Sequence, residues 1–119
     1  MIKSFRDLEI YNESFELMIL VHKEVIKFPF FEKNDLSSQM RRASKSIPSN
    51  IAEGWAKREH EKEFKKHLGI ALGSANEMEV HLETAKALNY LNINICNQLI
   101  IKYQRLGGKI ANLIKRWRT

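Results

Sequence analysis

The chain has 119 residues and a mass of 14.0 kDa, with 44% hydrophobic and 29% charged residues, the composition of one globular domain with a single core. Five glycines and two prolines are too few for a turn-rich β fold, a single cysteine excludes an intrachain disulfide framework, and the longest aliphatic run, Leu17 to Val21, is far too short to span a bilayer. The formal charge of +6 permits an acidic partner without identifying one, and Met1 to Phe5 carry no signal-peptide core, so the expected compartment is the cytoplasm.

Ser4-Phe5-Arg6-Asp7 reads as a capping box with Asp7 in the place of the usual Glu or Gln. From there the spacing predicts a first helix to about Lys27, with the seam Leu8, Tyr11, Phe15, Met18, His22 and Val25. Phe28-Pro29 ends it, because the residue before proline disfavours the α region. Asn34 or Asp35 caps a second helix with the seam Leu36, Met40, Ala43, Ile47, Asn50 and Gly54, in which Pro48 predicts a kink. The third helix, Glu59 to Asn89, has the seam Phe64, Leu68, Ala71, Ala75, Met78, Leu82 and Ala85. Its glycines, Gly69 and Gly73, together with Ser74, predict close approach to a neighbour. Asn92 or Asn94 caps the fourth, with the seam Cys96, Leu99, Tyr103, Leu106, Ile110, Leu113 and Trp117. Gly107-Gly108 inside it marks a tolerated bend or a tight crossing. Four amphipathic helices with short connections make residues 1–119 one all-α domain, an antiparallel up-down-up-down four-helix bundle.

The middle of the chain is more specific. Leu36-x-x-Gln39-x-x-Arg42-Ala43 is followed by Ser46-Ile47-Pro48-Ser49-Asn50-Ile51-Ala52-Glu53-Gly54 and later by Gly73-Ser74-x-x-Glu77. With Phe5 and Leu8, Phe28-Pro29 and Glu32, and Tyr90-Leu91, this text resembles the four-helix-bundle protein family encoded in intervening sequences of bacterial 23S rRNA genes. The resemblance covers Phe5 to about Leu91. Asn89 replaces the family's glycine before Tyr-Leu, His60 replaces the usual Ser or Thr before the third helix, and the fourth helix matches only in pattern. The resemblance implies a left-handed bundle that assembles as a homopentamer, and it implies no established enzymatic activity. It also implies kinship with the accessory variability proteins of diversity-generating retroelements, which are thought to bind nucleic acid and a reverse transcriptase.

An antiparallel hairpin of the second and third helices pairs Arg42 with Glu77, Ser46 with Ser74, Asn50 with residues 66–70, and Glu53 with His67 or Lys66. Arg42, Asn50, Glu53, Ser74 and Glu77 therefore form an expected polar network, read as a register-fixing device in preference to a ligand pocket, with a buried or half-buried Arg42–Glu77 ion pair and Ser74 and Asn50 nearby. Enzyme chemistry finds no support. No histidine has Glu three residues before it, as a di-iron bundle needs, and His60-Glu61 has Phe64 in the place of a second histidine. No metal or cofactor site is expected. Charge is informative once divided. Residues 1–91 hold 14 basic and 14 acidic residues, and residues 92–119 hold Lys102, Arg105, Lys109, Lys115, Arg116 and Arg118 with no acid. These six are candidate phosphate contacts for RNA or DNA. Apolar residues off the seams (Ile10, Leu17, Val21, Ile26, Ile70, Leu72, Ile100, Ile101 and Ile114) add to the expectation of a homo-oligomer.

Overall fold

Ser4 makes the predicted capping box: its hydroxyl accepts from the Arg6 N–H at 3.1 Å, and Asp7 Oδ2 accepts from the Lys3 and Ser4 N–H groups at 2.8 and 3.1 Å. Those two N–H donors, Lys3 first, hold the Asp7 carboxyl below its usual range. The box caps a single 3₁₀ turn, Phe5–Asp7, after which Leu8 is extended and the first α-helix begins one residue later. The computed structural model describes residues 1–119 as α1 (Glu9–Val25), α2 (Leu36–Ala56), α3 (Glu61–Ala87) and α4 (Ile93–Arg116), without strands, in a bundle of 46 × 24 × 21 Å.

Three seams lie where the periodicity puts them. Every predicted seam residue of α3 is buried, as are Cys96, Leu99, Tyr103, Leu106 and Ile110 of α4. In α2 the buried set runs from Leu36 to Trp55, and Asn50 is half-buried. The helix continues through Pro48, which lines a surface cleft with Phe15 and Met18 of α1.

The first seam is corrected. Leu8 and Val25 are buried as predicted, but between them Ile10, Ser14, Leu17 and Val21 go inward, each one residue before the predicted Tyr11, Phe15, Met18 and His22, and Phe15 is exposed. Two apolar stripes overlap on this helix, and α1 touches both α2 and α4, so the stripe between its neighbours goes inward. Buried Ser14 concealed that stripe; its hydroxyl donates to the Tyr11 carbonyl at 2.9 Å, which makes burial tolerable.

Neighbouring helices run antiparallel. Asn50 meets His67 where Ser46 meets Ser74, and Cys96 meets the Leu82 carbonyl where Gly107 meets Leu72. The close crossing predicted at Gly69 and Gly73 lies elsewhere. Both face open space, whereas a Cβ on Gly54 would sit 2.8 Å from His67 Cβ. Gly54 therefore sets the α2–α3 separation.

Helix ends are tied at both poles of the bundle. Asp35 stands at the N-cap of α2, but its side chain bonds Gln39 instead of capping. The buried Glu32 does the work: Oε1 accepts from the Leu36 N–H at 3.3 Å and Oε2 from the Tyr90 hydroxyl at 2.8 Å. That bond holds the Tyr90 hydroxyl above its usual range. Tyr90 follows the end of α3, where Asn89 takes φ 60° and the Tyr90 N–H returns to the Ala85 carbonyl at 2.9 Å. This is a Schellman ending with asparagine in the position that glycine favours. Asn92 caps α4, accepting from the Asn94 and Ile95 N–H groups. At the opposite pole Trp117 lies edge-on to Trp55 and Phe64, and Thr119 bonds Glu61 and the Arg58 carbonyl. The Thr119 N–H and then the Lys65 ammonium hold the Glu61 carboxyl below its usual range.

Candidate functional site

The α2–α3 register predicted from sequence is the one observed, and it builds a polar ladder. Asn50 Nδ2 donates to the Ser46 carbonyl at 2.9 Å and to Ser46 Oγ at 3.1 Å, and Ser74 Oγ donates to Ser46 Oγ at 3.0 Å. Asn50 Oδ1 accepts from His67 Nδ1 at 3.1 Å, which leaves His67 Nε2 to accept from the Lys57 ammonium at 3.2 Å. Glu53 Oε2 lies 3.8 Å from the same Nδ1. Asn50, Glu53 and Ser74 are thus gathered as expected, with Ser46, His67 and Lys57 completing the set.

Arg42 and Glu77 stay outside the ladder. Glu77 Oε2 bonds His81 Nε2 at 2.9 Å, one turn along its own helix, and exposed Arg42 makes no ion pair. Solvation of the guanidinium and a local i,i+4 partner for the carboxylate win over desolvating both charges in an interhelical pair. Both ring nitrogens of His67 are engaged, and the Ser46 and Ser74 hydroxyls bond each other. The ladder presents no free base beside a nucleophile, so its chemistry is that of a closed network that pins register.

The six cations of the C-terminal segment divide. Lys109 Nζ donates to Glu9 at 2.5 Å and Glu13 at 2.6 Å, both on α1. The Lys109 bond lowers the Glu9 carboxyl, and the two carboxylates, Glu13 first, raise the Lys109 ammonium. Arg118 turns back on the chain, donating to the carbonyls of Lys115 and Trp117. Both residues are therefore withdrawn from the expected phosphate-binding stripe. Lys102, Arg105, Lys115 and Arg116 make no ion pair; the first two line a cleft of about 280 Å³ between α1 and α4, opposite Glu13 and Glu16. The acids that pair with Lys109 were written in the sequence as Glu9 and Glu13, four residues apart. What sequence left open was which face of α1 turns toward α4.

Cations also gather on α2. Arg41, Arg42 and Lys45 occur in a stretch, residues 36–52, that has no acid, and Arg41 reaches the Lys33 carbonyl at 3.2 Å. Arg58 lies over the Trp55 ring at 4.4 Å and donates to its carbonyl, so it caps and packs. Burial holds two groups elsewhere in their protonated forms. Cys96 Sγ donates to the Leu82 carbonyl at 3.0 Å and burial pushes its thiol up. Tyr103 is fully buried with no partner for its hydroxyl, and desolvation pushes that hydroxyl far above its usual range. No three histidine, cysteine or carboxylate groups stand together where they would hold a metal ion, and no helix is long and apolar enough to cross a membrane.

Comparison with known proteins agrees with this architecture. Residues 6–112 match the 23S rRNA-intervening sequence protein family. Among solved structures, a protein of unknown function from the S23 ribosomal protein family of Bacteroides thetaiotaomicron is similar, with a TM-score of 0.78 and 25% sequence identity over 89% of this chain and 95% of that one. No curated protein matches the sequence.

Proposed function

The chain belongs to the 23S rRNA-intervening sequence protein family, and we propose that it is a non-enzymatic cytoplasmic helical-bundle protein that assembles with copies of itself. The observation that carries this reading is an apolar line on the outside of α1, where Phe15 is 43%, Ile19 39%, Leu20 39% and Ile26 82% exposed. Large apolar side chains on successive turns of one helix form a patch of the kind that association covers. Five copies is the number that the family resemblance implies. Light scattering at tens of micromolar should return a multiple of 14.0 kDa. Replacing Phe15 and Ile19 together by serine should lower that mass while leaving helicity unchanged. A parent chain of 14.0 kDa under those conditions refutes the proposal.

A second reading, binding of RNA or DNA, is supported by the four C-terminal cations that have no ion-pair partner, Lys102, Arg105, Lys115 and Arg116, and by the acid-free stretch carrying Arg42 and Lys45. Contacts of this kind address backbone phosphate, so sequence preference should be slight and affinity should fall steeply with salt. A gel shift at two salt concentrations tests it, with Lys102→Gln and Arg105→Gln expected to flatten the salt dependence. Absence of a shift at low salt leaves these residues as solvated surface.

A further inference from the structure

Self-association raises the question of which surfaces meet, and the outer faces of α1 and α3 are complementary. Resting on the self-association proposed above, we propose that the outer face of α1 in one copy lies parallel to the outer face of α3 in the next, a head-to-tail contact between two different surfaces. The occupant of the α1 face is a second copy of this chain.

The α1 face carries Phe15, Ile19 and Ile26, flanked by exposed Glu16 and Lys23. Neither of these two charges has an ion-pair partner within the chain. The α3 face is different in shape. A Cβ built on Gly69 or Gly73 meets nothing within 4 Å, and Val80, two turns beyond Gly73, is 62% exposed. Side-chain bulk is missing where the middle of a neighbouring helix would cross. Protruding apolar residues on α1 thus face a low stretch on α3 that ends in an apolar residue, Val80.

The order of charges selects the direction. Along α1 the outer face runs from acid to base, Glu16 then Lys23; along α3 the charges in line with Gly69 and Gly73 run from base to acid, Lys62 and Lys66 and then Glu83, with exposed Glu63 on the flank, about 100° around the helix from Lys62. A parallel alignment that sets Ile19 over Gly69 and Gly73 brings Glu16 to Lys66 and Ile26 to Val80, and carries Lys23 toward the acidic half of α3. Reversing one helix over the same stretch sets Lys23 beside Lys66, a like-charge contact that disfavours it. Pairing α1 with its own copy about a two-fold axis also brings Glu16 near Lys23. That pairing sets Phe15 and Ile19 against equal bulk and leaves Val80 in water. Because the two faces are distinct, the same step repeats from copy to copy and closes into a ring when the rotation allows.

Cysteine cross-linking tests the contact, since Cys96 is buried and does not compete. Ile19→Cys combined with Gly69→Cys or Gly73→Cys should yield a covalent ladder extending beyond the dimer under mild oxidation, while Ile19→Cys alone yields no covalent dimer. In parallel, Glu16→Lys should raise the concentration needed for assembly about tenfold, and adding Lys66→Glu should restore it to within about threefold. All of these positions are exposed or face open space, so circular dichroism should show an intact fold. A monomeric parent chain overturns both this contact and self-association itself. An assembled parent that gives no ladder, or that gives covalent dimers from Ile19→Cys alone, overturns the head-to-tail contact and leaves self-association standing.

Discussion

Replacing Gly54 by alanine should destabilise the protein, although alanine is the better helix former. In an open helical position the exchange stabilises by about 1 kcal/mol. At Gly54 the new methyl would lie 2.8 Å from His67 Cβ and 3.1 Å from Phe64 Cδ1. His67 Cβ is one bond from the α3 backbone, so no rotamer change relieves the contact and the helices must separate by several tenths of an ångström. Phe64 is held edge-on between Trp55 and Trp117, which resists that movement. Forcing one methyl group into a filled site costs about 1–3 kcal/mol or more, and the upper part of that range exceeds the propensity gain. The expected net loss is therefore about 1–2 kcal/mol, or roughly 3–8 °C in melting temperature for a chain of this size. Urea titration followed by circular dichroism reads the effect, with Gly108→Ala as the control. Nothing lies within 4 Å of a Cβ at that position, so alanine there should stabilise by up to about 1 kcal/mol. Equal gains from Gly54→Ala and Gly108→Ala would refute the close crossing.

Tyr103→Phe removes a hydroxyl that is buried without a partner; stability in urea should stay level or rise by up to about 1 kcal/mol, whereas a buried tyrosine with a bonded hydroxyl would lose a similar amount. Asn89→Gly relieves a non-glycine residue at φ 60° and should raise the urea midpoint by the equivalent of about 0.5–1 kcal/mol. The Lys109 clamp on Glu9 has a defined pH window. Glu9 is lowered, so its contribution is present above the ordinary carboxylate range and lost as pH falls through its folded value; Lys109 is raised, so its contribution is present below the ordinary lysine range and lost as pH rises through its folded value. The difference in urea midpoint between the parent and Lys109→Met should therefore be flat from roughly pH 5 to 9 and vanish toward pH 2; a difference that persists at pH 2 would contradict it.

Periodicity located α3 and most of α4 because each has one apolar stripe. It misplaced the seam of α1 because that helix has two, and the chooser between them is contact with α4, some 90 residues away. The same distance explains Lys109: its candidate role followed from an acid-free segment, while its carboxylate partners stand on another helix. Register arguments worked best where short polar residues had to meet, at Ser46 with Ser74 and Asn50 with His67. They failed for Arg42 and Glu77, whose long side chains have other ways to be satisfied. Glycine was legible as a close-packing residue but was assigned to the wrong helix; Gly54 stood on the predicted α2 seam, whereas Gly69 and Gly73 lay off the α3 seam and face open space.

Glu32 has a consequence for how the bundle opens. One carboxylate holds the first turn of α2 and also the Tyr90 side chain just past the end of α3, 58 residues from Glu32 in sequence. Neither helix end can fray without releasing a buried carboxylate from one of its partners, and an unpartnered buried oxygen is unfavourable. Local unfolding at this pole should then be a single cooperative event, so that amide protons near Leu36 and near Tyr90 exchange with solvent at similar free energies. Two loops that look independent in the chain behave as one unit of stability.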